Sequence, residues 1–232
     1  MGELSSHLES NGIRKALVSH LGTVFYPNAE YYNRDLLERA KGRPSIVPIP
    51  VLNLGIPGWE KHLEELMDEC SPVAVKIIPS YHFFSLDSDQ SLELSRRLES
   101  EGIPLLIQMR LEDERNQYKG LNIQGVPTGD IINFNKNSPS LKVICLNAYL
   151  PEALAIAGET NDNLGFDISF TERSNTVDVL TRAINPDRLF FGSHTPILYT
   201  RSATMKVEHS NCGKENAAKI ASTNAAQWFE LD

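Results

Sequence analysis

Apolar positions along this chain come in two alternating textures. Short runs rich in Val, Ile and Leu recur at Arg14–His20, 45–53, 73–80, 103–111, 141–148, 163–170 and 188–193. Between them, apolar residues fall at helical spacing, as in 59–70, where Leu63, Leu66 and Met67 share one face, and in 89–101. Gly42 and Gly102 stand where helices would end. Further helices are expected at 28–41, near 130–137, at 151–159, at 171–185 and within 217–231. A strand followed by a helix, repeated along the chain, is the pattern of βα units around a parallel sheet. Most runs are continuously apolar, as strands covered on both faces are.

No Gly-rich phosphate loop follows any run, which weakens a dinucleotide-binding open sheet. The regular repeat fits an α/β barrel of the TIM (βα)8 type. Seven strands are visible, and a helix-like segment ending at Gly12 precedes the first. The expectation is a single domain over residues 1–232, a barrel lacking its first strand. Its two open edges, at 14–20 and 188–193, would then need cover. Oligomerisation through that side is the favoured solution, because one short helix cannot pair backbone along both edges.

Composition narrows the function. The 232 residues are 41% hydrophobic and carry a formal net charge of -8. No basic cluster stands out, so nucleic acid and membrane surfaces are not expected partners. No run reaches membrane-spanning length. Cys70, Cys145 and Cys212 are far apart and never in a CxxC pair, which argues against disulfides and a structural zinc site and for a cytoplasmic protein.

"DRLFFGSHTP" (187–196) followed by a helix with Asn224, Ala225 and Phe229 resembles the end of the amidohydrolase-related family of metal-dependent TIM-barrel hydrolases and decarboxylases. "ESNGIRKALV", "VAVKIIPS" and "EGIPLLIQ" resemble its first helix and second strand, its fourth strand and its fifth. The resemblance runs over nearly the whole chain. It implies a barrel enzyme acting on a small, anionic molecule. It also implies a His-x-His pair on a first strand, which this sequence does not contain, and histidines on strands five and six, where Gln108, Arg110 and Asn147 stand instead. Where the family carries its catalytic aspartate, after Gly-Ser, this chain has His194. The usual metal site is therefore expected to be degenerate or lost. Zinc or another divalent ion is a residual option only, since His20, His82 and His194 come from separate elements.

In a parallel barrel the working side chains come from the C-terminal strand ends. That places His194 and Asp167 as catalytic candidates, and Arg110, Gln108, Asn147, His82, Tyr81 and His20 as substrate contacts. Arg110 has two readings: a clamp on a substrate anion, or an ion pair with the nearby Asp113 and Glu114. The competing function is a small-molecule-binding or structural protein without catalysis. A histidine at a strand tip adds little packing, so His194→Ala is expected to cost no more than about 1 kcal/mol.

Overall fold

The strands are short and all parallel: β1 (Ala16–Val18), β2 (Ile46–Pro48), β3 (Val51–Leu52), β4 (Val75–Ile77), β5 (Leu105–Gln108), β6 (Val143–Leu146), β7 (Leu164–Asp167) and β8 (Leu189–Phe190). The computed structural model describes residues 1–118 and 120–231. The strand expected over 45–53 is divided into β2 and β3. Pro48 and Pro50 lack the N–H that a continuous ladder needs. The segment therefore pairs one way with β1 and the other way with β4, with Ile49 N–H donating to Val18 and Pro50 O accepting from Lys76. Counting β2 and β3 together, the wall has the seven positions of an incomplete TIM barrel.

Alternation along each strand sorts the core into two clusters. Leu105, Ile107, Val143, Cys145, Leu164 and Phe166 face the outer helices and pack with Leu63, Leu94, Leu98, Ile131 and Leu180. Their alternates Leu106, Ile144 and Phe190 face the barrel interior with Ile49 and Ala74. No helix among the described residues is long and apolar enough to cross a membrane.

No ladder joins β8 to β1 among the described residues. The free edge of β8 is nonetheless occupied. Phe191 N–H donates to Ile220 O at 2.8 Å, and the Asn224 amide donates to Leu189 O at 2.8 Å and to Pro186 O at 2.7 Å. Ile220 lies in a π-helical turn, Lys219–Thr223, inside the last helical segment. The wider turn leaves a carbonyl free to serve the strand. Ala225, Trp228 and Leu231 pack with buried Phe229 against the interior cluster, and Trp228 meets Phe190 edge-to-face at 4.9 Å. At the other side of the gap, the helix Gly2–Ser10 packs Leu8 on Ala40 and Ile46, and His7 Nε2 reaches Thr200 Oγ1 at 2.7 Å. The segment 220–231 thus serves the free edge of β8, and the helix Gly2–Ser10 packs beside β1. The edge groups of β8 do not call for a second copy of the chain.

Asn224 is 2% exposed and serves two buried carbonyls. Asn224→Ala leaves Leu189 O without its donor, while Pro186 O keeps the Leu189 N–H, so urea unfolding should show a loss of roughly 1–3 kcal/mol. A loss below about 0.5 kcal/mol would mean that water replaces the amide at this edge.

Candidate active site

Four strand ends meet through one residue. Asn147, just after β6, has a left-handed backbone (φ 60°), uncommon for a residue with a Cβ. That turn aims its groups at four neighbours. Its N–H donates to Asp167 Oδ1 at 2.8 Å, and its amide nitrogen donates to Arg110 O at 2.9 Å and to the His194 ring. Its amide oxygen lies 2.8 Å from Ser169 Oγ, and its carbonyl accepts from Arg110 at 2.7 Å. Arg110, Asn147, Asp167 and His194 are therefore brought together on one rim.

His194, after β8, shares the left-handed backbone (φ 50°). Its Nε2 sits 2.6 Å from Leu111 O. A carbonyl can only accept, so Nε2 carries the proton, and Nδ1 accepts from the Asn147 amide at 3.1 Å. Both ring nitrogens are occupied. Burial pushes the imidazole down to about 4, and the charge of Lys76 adds to this. The ring is neutral and held edge-to-face on Phe170 at 5.4 Å.

Arg110 is 4% exposed and spends four of its five N–H groups within the protein. Two go to the Glu152 carboxylate at 2.6 Å each, one to Glu114 at 3.1 Å and one to Asn147 O. Its plane lies 3.9 Å over the Tyr149 ring, whose hydroxyl donates to Glu114 at 2.7 Å. Gly125 sits so close that a Cβ there would meet the guanidinium at 2.6 Å. The guanidinium binds carboxylates of its own chain, Glu114 as the ion-pair reading expected but Glu152 in place of Asp113, which pairs with Arg115; it does not stand free as a substrate clamp.

The remaining candidates are placed unevenly. Gln108 is buried at the end of β5 and donates to Arg110 O at 2.5 Å. His82 is buried and donates from Nε2 to Thr23 O at 2.7 Å, tying two loops together, and burial lowers its pKa. The Tyr81 ring packs against Val24, Val51, Ile78 and Leu111, and burial raises its phenol to about 12. His20 lies apart from the rim. Its Nδ1 accepts from Gly22 N–H at 2.9 Å, its Nε2 is 3.5 Å from Asp35, and its ring stacks on Tyr32 at 4.7 Å.

Asp167 is buried at the end of β7, and Gly192 is required beside it because a Cβ there would collide with its carboxyl. Ser169 Oγ lies 2.8 Å from both Asn147 Oδ1 and Asp167 Oδ2, so its one hydrogen is shared between two acceptors. Burial raises the Asp167 pKa, against the hydrogen bonds from Asn147 N–H and Ser169 and the charges of Lys206 and Lys76.

One group on this face was not singled out from the sequence. Lys76 occupies the middle of β4, between Val75 and Ile77, which belong to the helix-facing cluster. Alternation turns Lys76 inward. Lys76 is partly exposed and its side chain makes no hydrogen bond or ion pair among the described residues, while Asp167 is near enough to act on its charge. Burial lowers it from 10.5 to about 8. Its signal was a lone charge at an inward position of an apolar run.

A divalent metal does not fit these donors. No group of three or more His, Cys, Asp and Glu side chains converges among the described residues. Both nitrogens of His194 are spent, and Asp167 is bonded to Asn147 N–H and Ser169 Oγ.

The chain matches no family model and no curated protein. Among solved structures it is similar to 2,6-dihydroxybenzoate decarboxylase from Rhizobium, with 16% identity, 99% of this chain and 88% of that one covered, and a TM-score of 0.77. For 5-carboxyvanillate decarboxylase from Sphingomonas paucimobilis the values are 15%, 100%, 83% and 0.79. For a dihydroxybenzoic acid decarboxylase from Polaromonas sp., solved with bound manganese and the inhibitor 2-nitroresorcinol, they are 15%, 99%, 85% and 0.76. At these identities the likeness establishes the fold.

Two outcomes follow from the rim. Removing the His194 ring strands Leu111 O and the Asn147 amide, so His194→Ala should cost roughly 2–3 kcal/mol in chemical unfolding, against the 1 kcal/mol ceiling expected from sequence. Lys76→Met should stabilise the protein at pH 7 by on the order of 1–2 kcal/mol, since an unpaired cation leaves the interior. Between about 8 and 10.5 the unfolded chain holds the Lys76 proton more tightly than the folded one, so wild-type stability rises through that window. The advantage of Lys76→Met should shrink across it; melting curves from pH 7 to 10 showing a constant gap would contradict this.

Proposed function

We propose that the chain is an amidohydrolase-like enzyme acting on a small anionic molecule, with Asp167 as its general acid. The observation that carries this reading is the place of Asp167, a carboxyl buried in the barrel interior against Asn147, Ser169 and Gly192, whose pKa burial raises. A carboxyl kept protonated at neutral pH by burial can give its proton to charge that develops on a substrate. Ser169 and Asn147 fix the orientation of its O–H. His194, neutral and doubly bonded, acts as a positioning residue that holds Asn147. The similarity to decarboxylases of hydroxylated benzoic acids supports a small aromatic acid as the substrate class. No step is routed through a metal, because the donor set does not fit one.

A second reading, small-molecule binding without turnover, is favoured by the saturation of His194 and Arg110. Incubation with hydroxybenzoates and with esters and amides of aromatic acids, followed by product chromatography, separates the two. Under the catalytic reading, Asp167→Asn keeps substrate binding within a few-fold and lowers kcat at least 100-fold, the scale of one general-acid contribution, about 10²–10⁴. Binding with no product in the wild type would leave the second reading.

A further inference from the structure

We infer that Lys76 is the anion-binding residue of the barrel interior and that it takes the carboxylate of a small aromatic acid. This rests on the proposed small-acid function and names the recognition group within it. Three observations converge. The first is position: Lys76 lies level with Leu106 of β5 and, through it, Ile144 of β6, both part of the apolar floor with Phe190. Leu146, one inward step closer to the rim than Ile144, is partly exposed, as are Lys76 and Gly192, so solvent reaches this layer. The layer below Lys76 is apolar and the rim above it is polar.

The second is the absence of a counterion. Every other buried cation on this side is committed. Arg110 is forked onto Glu152 and Glu114, and Lys206 donates to the carbonyls of Ile168 and Ser169 at 3.0 and 2.8 Å. Lys76 has no such partner among the described residues, and Asp167, the carboxyl whose charge acts on it, makes no ion pair with it and is bonded to Asn147 N–H and Ser169 Oγ. A cation held in a barrel interior costs stability unless an anion joins it. The third is the neighbourhood of the reacting group: Lys76 and Asp167 act on one another electrostatically. An acid whose carboxylate rests on Lys76 is delivered to the one proton donor on the rim.

Calorimetric titration with benzoate at pH 7, on the wild type and on Lys76→Met and Lys76→Gln, tests this. The expected result is saturable one-to-one binding by the wild type and roughly 10- to 100-fold weaker binding by both variants, the scale of one charge-assisted hydrogen bond. Benzyl alcohol, which lacks the charge, should bind all three proteins alike. Melting curves check that the variants are folded. Wild-type binding with both folded variants within threefold of it would overturn the assignment of Lys76 and leave the small-acid function standing. A wild type that binds neither benzoate nor 2,6-dihydroxybenzoate would overturn both.

Discussion

A parallel barrel wall holds together only if the backbone groups at its two ends find partners. Everything else here depends on how that constraint is met between β8 and β1. The solution is a helix rather than a strand. A π turn frees the carbonyl of Ile220 for Phe191, and the Asn224 amide reaches the next carbonyl along the strand. Pinned in this way, β8 carries Gly192 and His194 to the rim at a fixed depth. Asp167 can then lie against a glycine and Asn147 can lie against the imidazole. The interior faces of Trp228 and Phe229 supply the apolar contacts that a further strand would have made.

The rim separates two kinds of polar group. Arg110, Glu114, Glu152 and Tyr149 form a closed set in which nearly every donor and acceptor is used. Fully satisfied networks of this sort rigidify a site and fix its shape. Asp167 and Lys76 are different. One is a carboxyl whose pKa burial raises, the other a cation without an ion pair among the described residues, and burial disfavours the charged form of each. Residues that break the local rules of burial mark the places where a protein gives up stability for use.

Much of this architecture was legible in the sequence. The seven strand positions and the helices between them follow from apolar runs and helical spacing, and the inward face of each run follows from alternation. The doublet Pro48 and Pro50 sat in plain view as the reason for a divided strand. The site was legible only as a neighbourhood. Strand-end reasoning gathered Arg110, Asn147, Asp167 and His194 correctly but could not see that Glu152, 42 positions after Arg110, forks onto it. Nor could it show that both His194 nitrogens are consumed, since Leu111 O is contributed by a loop more than 80 residues away. His20 occupies the end of its strand, yet a stacking partner and a carboxylate from the following helix hold it aside. Lys76 was overlooked for the opposite reason: attention to strand tips passes over a charge in mid-strand.

The reliance of β8 on residues 220–231 also sets an order of events. The wall segments are made in sequence, and each can pair with its predecessor as it emerges. The last of them acquires its edge partners only when residues 220–231 are available, and the helix Gly2–Ser10 meets its contact at Thr200 late as well. Until then the sheet has a bare edge and an uncovered apolar interior, the kind of species that associates with others of its sort. Contacts of large sequence separation are slow to form. The barrel thus closes through residues 220–231, and its vulnerability during folding is concentrated in the interval before that segment docks.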